Sequence, residues 1–205
     1  YLPLYEGKYI YHFDHRYGSF ETVPASKRYG RKATAPTPEL GQLQDSNYEI
    51  VPRYWFPKSV WELRRSQKSF HADFQFHFRD VAGVYPDLRT AIGAIVASGP
   101  AGHKAPVLTL RGHATSPEAN ASNVLCFACL FCSLAFDYVV RNKLFSKSLT
   151  VNTLSQIPLP RPSSVAKWPV LAKLALELSF TSLSLEPLGQ AVGSAAPFGY
   201  DPARR

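Results

Sequence analysis

The stretch Ser122–Pro162, SNVLCFACLFCSLAFDYVVRNKLFSKSLTVNTLSQIPLPRP, decides how the fold is read. Leu125, Cys129, Cys132, Phe136 and Val139 recur at helical spacing. Ser122 or Asn123 is placed to cap the start, and Arg141 and Lys143 fall in the last turn, where positive charge suits the helix dipole. The other side (Val124, Phe127, Leu130, Phe131, Leu134) is apolar too, so the pattern predicts one helix over 122–142, buried almost all round. Its apolar part, Val124–Phe136, is well short of the ~20 residues that cross a bilayer, and Asp137 follows at once, which argues against a membrane span. Beyond it the sequence predicts a polar turn at Ser146–Ser148 and a short helix carrying Leu154 and Ile157. An extended exit through Pro158, Pro160 and Pro162 follows, because each proline fixes φ and lacks a donor.

Around that stretch the composition is that of a globular protein: 205 residues, 45% hydrophobic and 19% charged, enough for one good core. A net charge of +8 points to an anionic partner, with nucleic acid, a membrane surface and an acidic protein as the classes it admits. Cys126, Cys129 and Cys132 fall near one face of the helix, but no fourth ligand is near and their neighbours are Leu, Phe and Ala. They read as small hydrophobes rather than as a metal or redox site, and an odd number of buried thiols suits a reducing cytoplasm. The chain opens without a basic-then-apolar leader and contains no Met, which suggests a piece of a larger polypeptide.

Taken in order, residues 8–22 (KYIYHFDHRYGSFET) read as one or two strands turning at Gly18. His12, Asp14 and His15 are compatible with metal ligation or general-base work; the structural alternative has Asp14 orienting Arg16 or a turn. Residues 24–46 read as a long flexible loop with a basic cluster, Lys27, Arg28, Arg31 and Lys32, around Tyr29 and Gly30. That cluster is suited to follow a phosphate backbone, or else to be a plain solvated loop. YEIVPRYWFP (48–57), containing Arg53, reads as a strand, and KSVWELRRSQ after Pro57 as a short helix with Arg64, Arg65 and Lys68 at its basic end.

FHADFQFHFRDV alternates: Phe70, Ala72, Phe74, Phe76 and Phe78 on one side, His71, Asp73, Gln75, His77 and Arg79 on the other. It predicts a half-buried strand whose polar face is a working surface. Arg79-Asp80 and Arg89-Thr90 bracket a turn at Pro86, either pairing internally or sending the arginines to phosphate or guanine. TAIGAIVA and PVLTLR read as further strands, joined by a turn with His103 and Lys104 at its tip. Trp168-Pro169 opens a last helix with a Leu171, Leu174, Leu178 stripe, and GSAAPFGYDPARR carries no core signal.

Several of these phrases resemble one family. FDYVVR followed by a Lys/Ser turn and NTLSQIPLP, the opening PLYEGKYIYHFDHRYGSF, the FRDV…DLRTAIGAIV pairs and the closing LELSFTSLSLEPL…PFGYDPARR are similar to the C-terminal target-recognition region of adenine-specific DNA methyltransferases of restriction-modification and phage-defence systems. More distantly they resemble type I specificity subunits. The likeness is weakest over 24–46. It implies double-stranded DNA as partner, a catalytic domain before Tyr1 in the same polypeptide, further helix after Arg205, and S-adenosylmethionine bound by that parent chain.

The chain itself offers no place for that cofactor. No G-x-G follows a strand signal, no two prolines are adjacent, and Walker, H-E-x-x-H and G-x-S-x-G motifs are missing. The expectation is therefore a non-catalytic, cytoplasmic, non-membrane recognition domain, in a parent that modifies DNA and for which the resemblance also admits DNA cleavage. Its α/β fold would be a twisted mixed sheet with a buried central helix over residues 1–162, then a C-terminal helix and tail over 163–205. DNA contacts are expected from Lys27, Arg28, Arg31, Lys32, Arg53, Gln75, His77, Arg79, Arg89 and Lys104. Two alternatives are a metal-dependent nuclease using His12, Asp14 and His15, and a module whose closing helix docks a sister subunit.

Overall fold

The structure, a computed structural model, describes residues 1–30, 32–67, 72–81, 89–108, 116–160 and 167–204. Expectations for Arg31, Lys68, Phe70, His71, the turn at Pro86, the strand beyond Leu108 and Pro162 lie outside the described residues.

The fold is mixed α and β, built on small antiparallel sheets. β1 (Leu2–Pro3) pairs with β2 (Trp55–Phe56). β3 (Phe74–Phe78) is the middle strand of a second sheet, between β4 (Gly93–Ala97) and β5 (Val107–Leu108). Both of its ladders are antiparallel, so the mixed sheet expected from the sequence is corrected; the described parallel pairing is an isolated bridge, Tyr5 to Ala101. Most of 8–22 and 48–57 does not join a sheet. A 3₁₀ turn over Gly7–Tyr9, loop bonds such as Tyr17 N–H to Tyr9 O and Phe20 N–H to Val51 O, and Arg16 N–H to Asp14 Oδ1 satisfy that backbone instead.

The central helix is two helices, not one. α4 (Pro117–Phe131) and α5 (Leu134–Lys143) meet at a 65° bend, after α1 (Ala25–Arg28), α2 (Leu40–Gln44) and α3 (Lys58–Gln67) earlier in the chain. Ser133 makes the break: its hydroxyl donates to Leu130 O at 2.7 Å and accepts the Phe136 N–H at 3.2 Å, ending one ladder and capping the next. The start is Ser116, not Ser122 or Asn123, because Ser116 Oγ accepts the Ala119 N–H and Pro117 sits in the first turn, where no donor is needed. No single helix among the described residues is long and apolar enough to cross a membrane.

α4 is buried on most sides, as its sequence requires. Phe127 and Phe131 meet Phe76 of β3 edge-on, each with ring centroids 5.0 Å away. On its other flank lies α7 (Trp168–Ser179), which follows the short α6 (Val151–Ser155) and buries Ala172, Ala175, Leu176 and Ser179; of the expected leucine stripe Leu171 packs on the core and Leu174 is exposed. The small side chains let the helices approach closely enough for the Cys126 and Cys129 thiols to donate to Trp168 O and Leu171 O, both at 3.2 Å. The domain boundary expected at 162/163 falls outside the described residues, and 167–204 share the core of the rest. The last segment also contributes, after α8 (Glu186–Ala191): Phe198 packs on that core and donates its N–H to Phe180 O.

β3 separates this core from a second cluster of Tyr5, Tyr9, Ile10, Phe20, Ile50, Ala94, Val96 and Ala105. Both faces of the strand are therefore covered, and Gln75 and His77 point into protein, which corrects the expected working surface. Gly93 is required opposite: a Cβ there would lie 2.4 Å from the Phe76 ring.

One side chain ties the segments together. Arg16 is fully buried, and its guanidinium donates to the carbonyl oxygens of Leu43 (2.8 Å), Asp45 (2.9 Å), Tyr48 (3.0 Å) and Thr181 (3.0 Å). Lysine places its charge on one nitrogen and cannot reach four separate acceptors. Arg16→Lys is therefore expected to lower unfolding stability by about 3 kcal/mol, read from urea titrations, because carbonyls buried around it lose charge-assisted bonds.

Candidate nucleic-acid interface

The basic loop is pinned to the body, so the flexible loop expected over 24–46 is corrected. Ser19 donates its N–H to Pro36 O, Leu43 is buried, Lys8 Nζ reaches Ala33 O at 2.7 Å, and Arg28 Nε donates to Val23 O at 2.9 Å. Arg53 holds the other side. Its guanidinium makes a two-pronged pair with Glu6 (2.7 and 2.8 Å), which keeps it firmly protonated, and it also reaches Gly30 O at 3.4 Å. It stacks on Tyr54, 5.0 Å from the ring centroid, and Tyr54 in turn meets Tyr29 at 5.5 Å.

Arg53, Tyr54 and Tyr29 thus form one aromatic–cation contact, with further exposed rings and cations adjacent to it in the chain. Tyr29 is 59% exposed, Tyr54 40% and Trp55 53%, with Lys27 and Lys32 open to solvent and Arg28 half-buried. Planar rings at low entropic cost beside ammonium and guanidinium groups suit bases and phosphates respectively. Tyr54, Trp55 and the anchoring Lys8 are not among the residues picked from sequence; the aromatic run after Arg53 was the available signal.

The remaining predicted contacts are placed elsewhere. Gln75 donates its side-chain amide to Gly99 O (2.8 Å) and to His77 Nε2 (2.7 Å), both enclosed. Arg79 Nε donates to Gly7 O and Ile10 O, and the guanidinium lies over the stacked rings of Tyr11 and Tyr17. Arg89 donates to Cys132 O at 2.6 Å and lies 3.5 Å from Asp137, whose other carboxylate oxygen accepts the Thr90 and Ala91 N–H groups at 2.6 and 2.7 Å. Lys104 pairs with Asp80 and keeps part of its side chain exposed. The Arg-Asp and Arg-Thr pairs thus engage other parts of the protein rather than each other.

Geometry does not assemble the His12, Asp14, His15 cluster. Asp14 accepts from Arg16 N–H and from Tyr200 O–H, and buried His15 bonds Ser182 and Ser184 at 3.0 and 3.2 Å. His12 has no hydrogen-bond partner at either ring nitrogen. No three His, Cys, Asp or Glu among the described residues are grouped to hold a metal ion. The thiols are free and inert: burial pushes Cys126 and Cys132 up to about 12. An apolar cavity of about 220 Å³ between α4, α5 and α6 is lined by Phe127, Phe131, Phe136 and Leu154, with Ser155 its polar residue, and offers no acid–base pair.

Comparison with family models, with curated proteins and with solved structures returns no match.

Two of the enclosed imidazoles, His12 and His77, make stability depend on pH. Burial lowers His77 from 6.5 to about 3, and burial together with the nearby Arg89 cation lowers His12 to about 4. The unfolded chain binds the extra protons in that interval. Stability is therefore full above 6.5 and is lost as pH falls through 6 to 4, at up to about 1.4 kcal/mol per pH unit for each ring. Thermal melts between pH 8 and 4 are expected to show this slope, and His77→Gln to remove roughly half of it.

Proposed function

We propose that this chain is the DNA target-recognition region of an adenine-specific DNA methyltransferase or restriction-modification protein. It would act in the cytoplasm without catalytic residues of its own. S-adenosylmethionine and the methyl transfer, with any DNA cleavage, belong to a catalytic domain elsewhere in the same polypeptide. The observation that carries the reading is the Arg53–Tyr54–Tyr29 contact, with Lys27, Arg28, Lys32 and Trp55 close to it in the chain, on a protein of net charge +8. The resemblance of FDYVVR, NTLSQIPLP and the opening LYEGK to that family supports it. On this reading the lysines and Arg28 follow the phosphates of duplex DNA, while the aromatic rings lie against the bases or sugars and set the register.

The triple substitution Lys27→Gln, Arg28→Gln, Lys32→Gln should weaken binding to all duplexes by about 10- to 100-fold at moderate salt. It should also lower the slope of log affinity against log salt by about 2 to 3. Anisotropy titrations of labelled duplexes at several salt concentrations measure both, with Lys173→Gln on the exposed side of α7 as the control. Binding that ignores salt and the triple substitution alike would refute the proposal.

A further inference from the structure

The cavity between α4, α5 and α6 takes no part in the proposed DNA contacts, and the chemistry of its walls specifies a guest. Its volume is about 220 Å³. Phe127, Phe131 and Phe136 line it and are buried, whereas Val151 and Leu159, which line it too, are 53% and 42% exposed, so it opens to solvent on their side. Phe131 meets Phe127 and Phe136 at tilts of 43° and 37°, with ring centroids 5.8 and 5.1 Å apart. Neither contact is a stack, so a planar molecule can lie against these rings edge-on or offset. Leu134 and Tyr138 are exposed as well, but each stands two residues from Phe136 on α5 and therefore on the other side of that helix.

Water suits this space poorly. An apolar cavity of ~150 Å³ stays dry and takes up benzene, because each water needs about two to four polar partners. Here Ser155 is the one polar residue of the lining, and no charged residue lines the cavity among the described residues. The Ser155 hydroxyl donates to Asn152 O at 2.8 Å, so its hydrogen is used and it can only accept from a guest. Size, apolarity and a single acceptor together select a neutral, planar molecule of one or two fused rings that carries one N–H or O–H. A carboxylate or an ammonium would be desolvated there without a counter-charge.

We propose that this cavity is a binding site for a small neutral aromatic molecule of the indole or phenol type, its ring against Phe127, Phe131 and Phe136 and its donor on Ser155 Oγ. Such a site is independent of DNA recognition. A guest in it touches α4, α5 and α6 at once, and so ties α6, five residues long and without a buried residue, to the core.

The test is a set of ligand-observed NMR titrations of the full chain with three probes: indole, benzofuran, in which an oxygen replaces the N–H, and indole-3-acetate, which adds a charge. Indole is expected to bind saturably with a Kd below about 1 mM, benzofuran about three- to tenfold more weakly, and indole-3-acetate at least about tenfold more weakly. Ser155→Ala should bring indole down to the benzofuran value and leave benzofuran within about twofold. Val151→Trp, at the exposed mouth, should fill the cavity with its own ring and abolish binding of both, with circular dichroism unchanged. The absence of saturable indole and benzofuran binding to wild type overturns the proposal, as does undiminished binding to folded Val151→Trp. An indole preference that survives Ser155→Ala overturns the assigned hydrogen bond and with it the proposed guest, whether or not Val151→Trp folds. Indole-3-acetate binding as tightly as indole assigns the probes to the cationic surface and overturns the site.

Discussion

Four backbone carbonyls from segments far apart in the chain converge on the buried guanidinium of Arg16, and the two halves of the molecule are held together there. Leu43, Asp45 and Tyr48 belong to the long connection after the basic loop; Thr181 follows α7. A cation with no exposure is tolerable because both terminal nitrogens meet acceptors, though Nε does not, and the Asp14 carboxylate lies close, its Oδ1 bound to the Arg16 N–H and its Oδ2 to Tyr200 O–H. Segments poor in regular structure thereby acquire fixed positions. The basic loop inherits that order, since the chain on both sides of it is anchored.

A second lock explains why two of the sequence phrases occur together. Asp137 of FDYVVR accepts the Thr90 and Ala91 N–H groups and faces Arg89 and Arg141, so the Arg-Thr pair and the helix phrase are parts of one structure. Arg79 does the same for the opening segment, bonding Gly7 and Ile10 beneath Tyr11 and Tyr17. The phrases behind the family resemblance are thus the ones that build the body. On the proposed reading, DNA-facing groups belong on the exposed loops that this body carries, such as the 25–32 segment; the turn at Phe145 is a second exposed loop.

Those two surfaces share a construction. In each, solvent-exposed aromatic and cationic groups stand on a backbone tied down by half-buried or buried polar pairs: Arg53 with Glu6 in one, Lys104 and Ser148 with Asp80 in the other. Rigid presentation lowers the conformational entropy lost on binding, and it makes a modest number of contacts sufficient for selectivity.

What the sequence determined by itself was the local order. The apolar run around Cys129, the alternation through Phe74–Phe78, Pro57 and Pro169 at helix starts and Thr150 before Val151 each encode their element through periodicity or capping, which need no distant partner. What only tertiary structure decided was exposure. Gln75, His77, Arg79 and Arg89 look like surface residues in one dimension, yet a second cluster covers β3 and carbonyls from remote segments claim the arginines. Tyr54 and Phe145 look like core residues, yet the chain turns them outward. The physical reason is that a buried polar group needs acceptors supplied from elsewhere in the chain, and no local pattern records where those acceptors come to lie.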